Sequence, residues 1–244
     1  MNGSSVVNAA NKTIGLIVPP AHGQVPPDAA LMYPDLTFIA KGLALGSVDK
    51  DGYDQVIDSV IDKAKALAAE GASAVSLMGT SLSFYRGTNF NQELKEQMEQ
   101  AAGVPCSTMS FAILRGMQTL GMRKVVLASA YIDDVNTRLV NFLTQQGVTV
   151  TGAKGLGITG VQEVGQVTTD TLVDLCLKAW KESGPADGVL LSCGGLITLD
   201  TILQVEQELG VPVVSSSPAG FWDIVGVAGA NRQIQGLGRL ASCA

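Results

Sequence analysis

The sequence predicts an α/β fold: two similar Rossmann-like halves with parallel sheets, related by a pseudo-twofold, with the active site in the cleft between them. Three observations predict it. Short apolar runs of strand length alternate with helical stripes, the pattern of βαβ units. The second half repeats the first in matching order. The composition, 46% apolar and 16% charged over 244 residues, suits buried parallel sheets rather than disorder.

Taken in order, Thr13–Val18 (TIGLIV) is a short apolar run ended by Pro19-Pro20 and reads as a buried strand. Over 53–70, Val56, Ile57, Val60, Ile61, Ala64 and Leu67 fall on one helical stripe that Gly71 stops. Residues 74–78 (AVSLM) form the next strand, and 91–102 a helix through Leu94 and Met98 closed by Gly103. A strand over 104–108 and a helix over 111–120 complete the first half. In the second, 124–129 (KVVLAS) is a strand, and 133–146 a helix with Val135, Leu139, Phe142 and Leu143 on one face. A helix over 169–182, a strand over 188–192 (GVLLS), a helix over 200–209, a strand over 211–215 and a helix over 221–228 follow.

The halves match segment by segment. TIGLIVPP (13–20) matches KVVLASAY (124–131) in position and character, GASAVSLMGTSLSF (71–84) matches PADGVLLSCGGLITL (185–199), and GVPCSTMS (103–110) matches GVPVVSSSP (210–218). The offsets are all roughly a hundred and ten residues, the signature of a duplication. Residues 1–118 are therefore expected to form the first half and 119–218 the second, with 219–244 returning to the first. Ligands bind outside the carboxyl ends of parallel strands and between domains, so the cleft is the expected site.

Charge and composition exclude several functions. With 16 Lys+Arg against 22 Asp+Glu, the net charge is −6, unfavourable for nucleic acid. One His leaves no His-rich metal site. No apolar run reaches membrane-spanning length. The N-terminal stretch MNGSSVVNAANK reads as a polar tail without the features of a secretory signal. The four Cys (106, 176, 193, 243) are far apart and form no CxxC, which reads as free thiols. The expected setting is the cytoplasm, and the expected state a monomer.

Overlaying the repeats puts Gly79 of MGTS opposite Cys193 of SCGG, each opening a small-residue turn after a strand. Successive backbone N–H groups in such turns form anion-binding nests. Thr80, Ser81 and Ser83 add hydroxyls on one side, and Gly194 and Gly195 permit close approach on the other. Tyr131, after its strand, is also expected to reach the cleft. The turn context alone suits a buried core thiol at Cys193 as well as a functional one. Thr80 and Ser81 could equally be plain turn residues. Cys176 lies on an apolar helical stripe and Cys106 in a strand, both as core; Cys243 is in an inert terminal segment. His22 reads as a surface loop residue, Asp133 and Asp134 as helix caps, and Phe84 and Tyr85 as packing. Ser215–Pro218 reads either as cleft lining or as a helix N-cap.

Paired strand-end turns, each able to carry a Cys, resemble the aspartate/glutamate racemase superfamily. Within it the chain is similar to the arylmalonate decarboxylases, through TIGLIVPP, MGTSLSFYRG, YIDDVN, LGITGV, SCGGL and VPVVSSSPAGFWD. Racemases of the superfamily carry Cys at both turns, whereas Gly79 stands at the first turn here. That departure fits the decarboxylases, which keep only the second Cys.

The resemblance implies a mechanism. A malonate with an aryl α-substituent places one carboxylate in a nest of Thr80, Ser81, Tyr131 and the N–H groups of Cys193 and Gly194. The other lies against apolar Pro19, Pro20, Leu45, Val48, Val161 and Val164. Loss of CO₂ leaves an enediolate, stabilised by the nest and protonated on one face by Cys193, giving one enantiomer, the R-arylcarboxylate. No cofactor or metal is implied, and the partner is the small-molecule substrate, with neither nucleic acid nor membrane involved. A Cys in a glycine-rich turn near a helix N-terminus is expected to have a lowered pKa, which a bound dianion pushes back up. Two rivals remain: a racemase or isomerase working through Cys193 alone, and a non-catalytic module that binds dicarboxylates.

Overall fold

The computed structural model describes residues 12–244; the polar N-terminal tail read from the sequence lies outside them. The first half runs β1 (Thr13–Val18), α1 (Asp28–Met32), β2 (Thr37–Gly42), α2 (Lys50–Val56), a single 3₁₀ turn (Ile57–Ser59), α3 (Val60–Ala69), β3 (Ala74–Leu77), α4 (Thr80–Phe84), α5 (Thr88–Ala102), β4 (Cys106–Thr108) and α6 (Met109–Thr119). The second runs β5 (Lys124–Ser129), α7 (Asp133–Gln145), β6 (Thr149–Gly155), α8 (Val161–Val164), α9 (Thr169–Glu182), β7 (Gly188–Ser192), α10 (Leu199–Leu209), β8 (Val213–Ser215) and α11 (Ser216–Val227).

The strands form two four-stranded, wholly parallel sheets, ordered β2-β1-β3-β4 and β6-β5-β7-β8. The predicted α/β class with two like halves is thus the observed one. Central β1, β3, β5 and β7 are buried along almost their whole length, which is why they read as continuous apolar runs. The edge strands β2 and β6 are only half-buried. Their sequences, TFIAKG and TVTGAKG, mix polar and small residues, so the apolar pattern does not reveal them.

The long helix expected over 53–70 is two. Its start is earlier: Asp49 caps α2, its carboxylate accepting from the Gly52 N–H at 2.9 Å. The break falls at Val56–Ser59, where the Ser59 hydroxyl donates to the Val56 carbonyl at 2.7 Å and tightens the turn. The last helix also starts earlier, at Ser216 rather than 221. Ser215 stands at its N-cap position, but its hydroxyl pairs with Thr198 Oγ1 at 2.8 Å instead of capping. Asp133 and Asp134 occupy the first turn of α7 without a capping hydrogen bond, where they favour the helix dipole.

The duplication reaches individual bonds. Residues 40–47 (AKGLALGS) repeat as 153–160 (AKGLGITG). Lys41 pairs with Glu70 at 2.5 Å, and Lys154 with Glu182 at 2.7 Å. Glu99 accepts the Cys106 N–H at 3.1 Å, and Glu206 the Val213 N–H at 3.0 Å. Ala44 and Gly157 share a left-handed backbone, with φ of 58° and 72°. Ser47 bridges antiparallel to Gly160, the equivalent position of the other half. A residue meets its own counterpart only beside a twofold axis, so the axis passes there.

α11 packs against α6, α1, β3 and β4 as well as β8. Cys106 and Cys176 are buried, as expected, and Cys243 is partly exposed. No helix among the described residues is long and apolar enough to cross a membrane.

Candidate active site

A cavity of about 230 Å³ opens at the carboxyl ends of the central strands, lined from both halves. Pro19 and Pro20 follow β1 directly. Leu45 and Val48 come from the loop after β2, held by Leu45 N–H to Pro19 O at 2.9 Å and Val48 N–H to Thr159 O at 2.8 Å. Val161 and Val164 come from α8, which occupies the equivalent place after β6. These six make an apolar wall beside the inter-half bridge.

Gly79, Thr80 and Ser81 form the facing turn. Gly79 is the N-cap residue of α4, and the first N–H groups of that helix find no acceptor among the described residues, as helix geometry dictates. A Cβ on Gly79 would lie 2.7 Å from Leu82 Cδ1, so the turn is closely packed. The Thr80 carbonyl accepts from the Ser83 hydroxyl at 2.8 Å and the Ser110 hydroxyl at 3.2 Å, which fixes the turn from behind.

Cys193, Gly194 and Gly195 line the opposite side. A Cβ on Gly194 would come within 2.9 Å of both the Met78 carbonyl and Met109 Sδ. Glycine there lets the β7 turn approach the end of β3. The Cys193 N–H, expected in the nest, donates instead to Ser216 Oγ at 3.3 Å. The lowered thiol pKa is not found either: burial pushes Cys193 up to about 11, opposed by the Gly195 N–H and the Tyr131 hydroxyl beside the sulfur. The helix expected to lower it, α10, starts only at Leu199, too far along the chain for its dipole to act strongly.

Tyr131 does not line the cavity but lies behind it, 1% exposed. Its hydroxyl accepts from Ser192 Oγ at 3.4 Å, adjoins Thr80 and Cys193, and is held protonated by burial. Phe84 packs edge-on against it, and Tyr85 against Tyr53, as packing residues. Tyr53, which the sequence reading did not single out, is fully buried behind the cavity, with its hydroxyl close to Ser81 and Cys193. Asp28 and Ser217 also line the cavity unforeseen, except that Ser217 falls in the serine cluster read as possible cleft lining. His22 is exposed, as expected of a surface loop, but stands on the cavity rim. Among the described residues, no Lys or Arg lines the cavity.

Such a site can hold a small acid by hydroxyls and N–H groups and offer it one neutral thiol. Comparison with known proteins agrees with that chemistry. The arylmalonate decarboxylase family model matches residues 14–241. Arylmalonate decarboxylase of Bordetella bronchiseptica is 59% identical over 233 residues, covering 95% of this chain and 97% of that protein. A glycine-to-cysteine, cysteine-to-serine double mutant of arylmalonate decarboxylase, solved in its liganded form, superposes with a TM-score of 0.93 at 58% identity, covering 94% of this chain and 98% of that one. The two altered positions there stand as far apart in sequence as Gly79 and Cys193 do here. A maleate isomerase from Pseudomonas putida S16, with maleate, shares the fold at a TM-score of 0.88 and 17% identity, over 96% of this chain and 98% of its own. The chain therefore belongs to the arylmalonate decarboxylase family and is a carboxy-lyase.

Proposed function

We propose that the chain decarboxylates α-aryl (α-alkyl) malonates without a cofactor, through an enediolate that Cys193 protonates to give the R-arylcarboxylate. The observation that carries this reading is that, among the described residues, one buried thiol, its pKa raised, faces a hydroxyl-rich turn across a cavity with no Lys or Arg in its lining.

One carboxylate sits at the Thr80–Ser81 turn, where unpaired N–H groups and the Ser81 hydroxyl converge and the Thr80 hydroxyl donates to Met109 Sδ at 2.8 Å. The other lies against Pro19, Pro20, Leu45, Val48, Val161 and Val164, which give it no hydrogen bond. As the C–C bond breaks, its electron pair moves into the remaining carboxylate, CO₂ leaves, and an enediolate forms. Preorganised donors act most strongly on charge that develops during the step, and removing one such donor costs about 3 kcal/mol. Cys193 then transfers its thiol proton to Cα, as a general acid. The thiolate left behind is steadied by the Gly195 N–H and the Tyr131 hydroxyl and regains its proton from water. A single acid on a single face delivers a single enantiomer. Gly79 withholds the second thiol that two-face racemisation needs.

The test is incubation with phenylmalonate, following CO₂ release and proton uptake with and without EDTA. Turnover that EDTA leaves intact, with Cys193→Ala losing product formation by about three orders of magnitude while still binding malonate, is the expected outcome. Absence of turnover sinks the reading, and EDTA sensitivity sinks its cofactor-free form.

A further inference from the structure

Asp28 is a carboxyl that the decarboxylation mechanism leaves unused. It stands at the start of α1 on the cavity wall and is 2% exposed. Among the described residues it makes no ion pair. Its Oδ2 lies 2.7 Å from the hydroxyl of Ser217, and its Oδ1 is buried with no hydrogen-bond partner among the described residues. Ser217 lines the same cavity from the first turn of α11 and is 1% exposed.

Ser217 has one hydroxyl hydrogen, and the state of Asp28 decides where it points. An ionised carboxylate only accepts. It would take that hydrogen and leave Ser217 lone pairs toward the cavity. A protonated carboxyl can donate through Oδ2 to Ser217 Oγ, which frees the Ser217 hydrogen to turn inward. Burial raises the Asp28 pKa from its ordinary value, opposed by the Ser217 hydroxyl, and so shifts it toward the protonated form.

We propose that Asp28 and Ser217 form a carboxylate-binding element of the cavity, in which acid-form Asp28 frees the Ser217 hydroxyl to donate to a substrate carboxylate. Ser217 is then the contact residue and Asp28 a positioning residue. The substrate class rests on the malonate reading, but the recognition holds for carboxylates generally. His22 on the preceding loop and Cys193 line the same cavity as Asp28; on the elements packed there, Tyr33 after α1 donates to the Arg232 carbonyl and Asp223 of α11 is engaged by Arg115.

The test measures KM and kcat for phenylmalonate, and Kd for phenylacetate, from pH 5 to 9. In the unaltered protein KM and Kd should rise about tenfold as Asp28 loses its proton, the effect of one hydrogen bond to a charged group. The kcat, set by Cys193, should not follow. In Asp28→Asn the rise should vanish, because the amide is always a donor to Ser217. Ser217→Ala should weaken binding about tenfold at low pH and flatten the profile. His22→Gln should keep the rise. Circular dichroism of each variant checks folding. A flat profile in the unaltered protein, a rise that survives in Asp28→Asn or vanishes in His22→Gln, or unchanged phenylacetate binding in Ser217→Ala overturns the proposal. Failure of phenylmalonate turnover strikes only the malonate reading, because phenylacetate binding tests the pair by itself.

Discussion

At the residue scale, the environment of Cys193 matters more than its turn. Sequence context suggested a lowered thiol pKa that only the bound dianion would push back up, whereas burial by itself already raises it to about 11. In the proposed mechanism the acid form donates the proton, so kcat should be fully present at neutral pH and fall as pH rises through that range. A bound dianion moves the fall further upward. A stopped-flow or buffered pH profile of kcat checks this, and a loss already complete by pH 8 would contradict it. Gly79 supports the companion prediction. Gly79→Cys should place a thiol on the opposite face and introduce racemisation of an optically pure arylpropionate. The added side chain runs into Leu82 Cδ1 at 2.7 Å, so Leu82 must turn and stability should fall by about 1–3 kcal/mol. Deuterium exchange and optical purity in D₂O provide the readout. A folded variant that leaves the arylpropionate untouched would show that the turns do not face each other across Cα.

At the element scale, the two halves reuse one construction. After each edge strand the chain crosses tightly beneath the loop that follows the first strand of its half. Gly42 and Gly155 occupy these crossings: a Cβ would lie 2.4 Å from the Pro20 carbonyl in one and 2.2 Å from the Tyr131 carbonyl in the other. Gly155→Ala should therefore push Tyr131 from behind the thiol. The expected result is a loss of about 1–3 kcal/mol in urea unfolding, with kcat reduced about tenfold or more, since small misplacements at a reacting centre are costly. A destabilised variant with unchanged kcat would show that Tyr131 does not work with Cys193. The edge strands also show where sequence reading stops. β2 and β6 escaped because half-buried strands carry no continuous apolar run. Their shared AKG endings were nevertheless legible as a fourth repeat. The short helices α1, α4 and α8 left no periodicity to read, because four or five residues make little more than one turn.

At the scale of the whole molecule, α11 ties the end of the chain back to the first half. Its Asp223 is 1% exposed and is held by the Arg115 guanidinium of α6, with Ser107 of β4 donating at 2.5 Å. Arg115→Ala would leave that carboxylate buried and unpaired, and should cost about 3 kcal/mol, visible as a lower Tm. Because α11 also carries Ser216, which accepts the Cys193 N–H, activity should fall together with stability. An unchanged Tm would show that the pair contributes nothing.

The sequence by itself determined the α/β class, the duplication, and the pairing of Gly79 with Cys193, because buried parallel strands and strand-end turns are local patterns that recur at a fixed offset. It also pointed to the apolar residues of the cavity wall, through family resemblance. Only the tertiary structure decided that burial outweighs the turn in raising the Cys193 thiol pKa, that its N–H is taken by Ser216, that Tyr131 stands behind the cavity, and that Asp28 and Ser217 face into it. These depend on desolvation and on contacts between residues far apart in the chain, and neither quantity is written in the order of the amino acids.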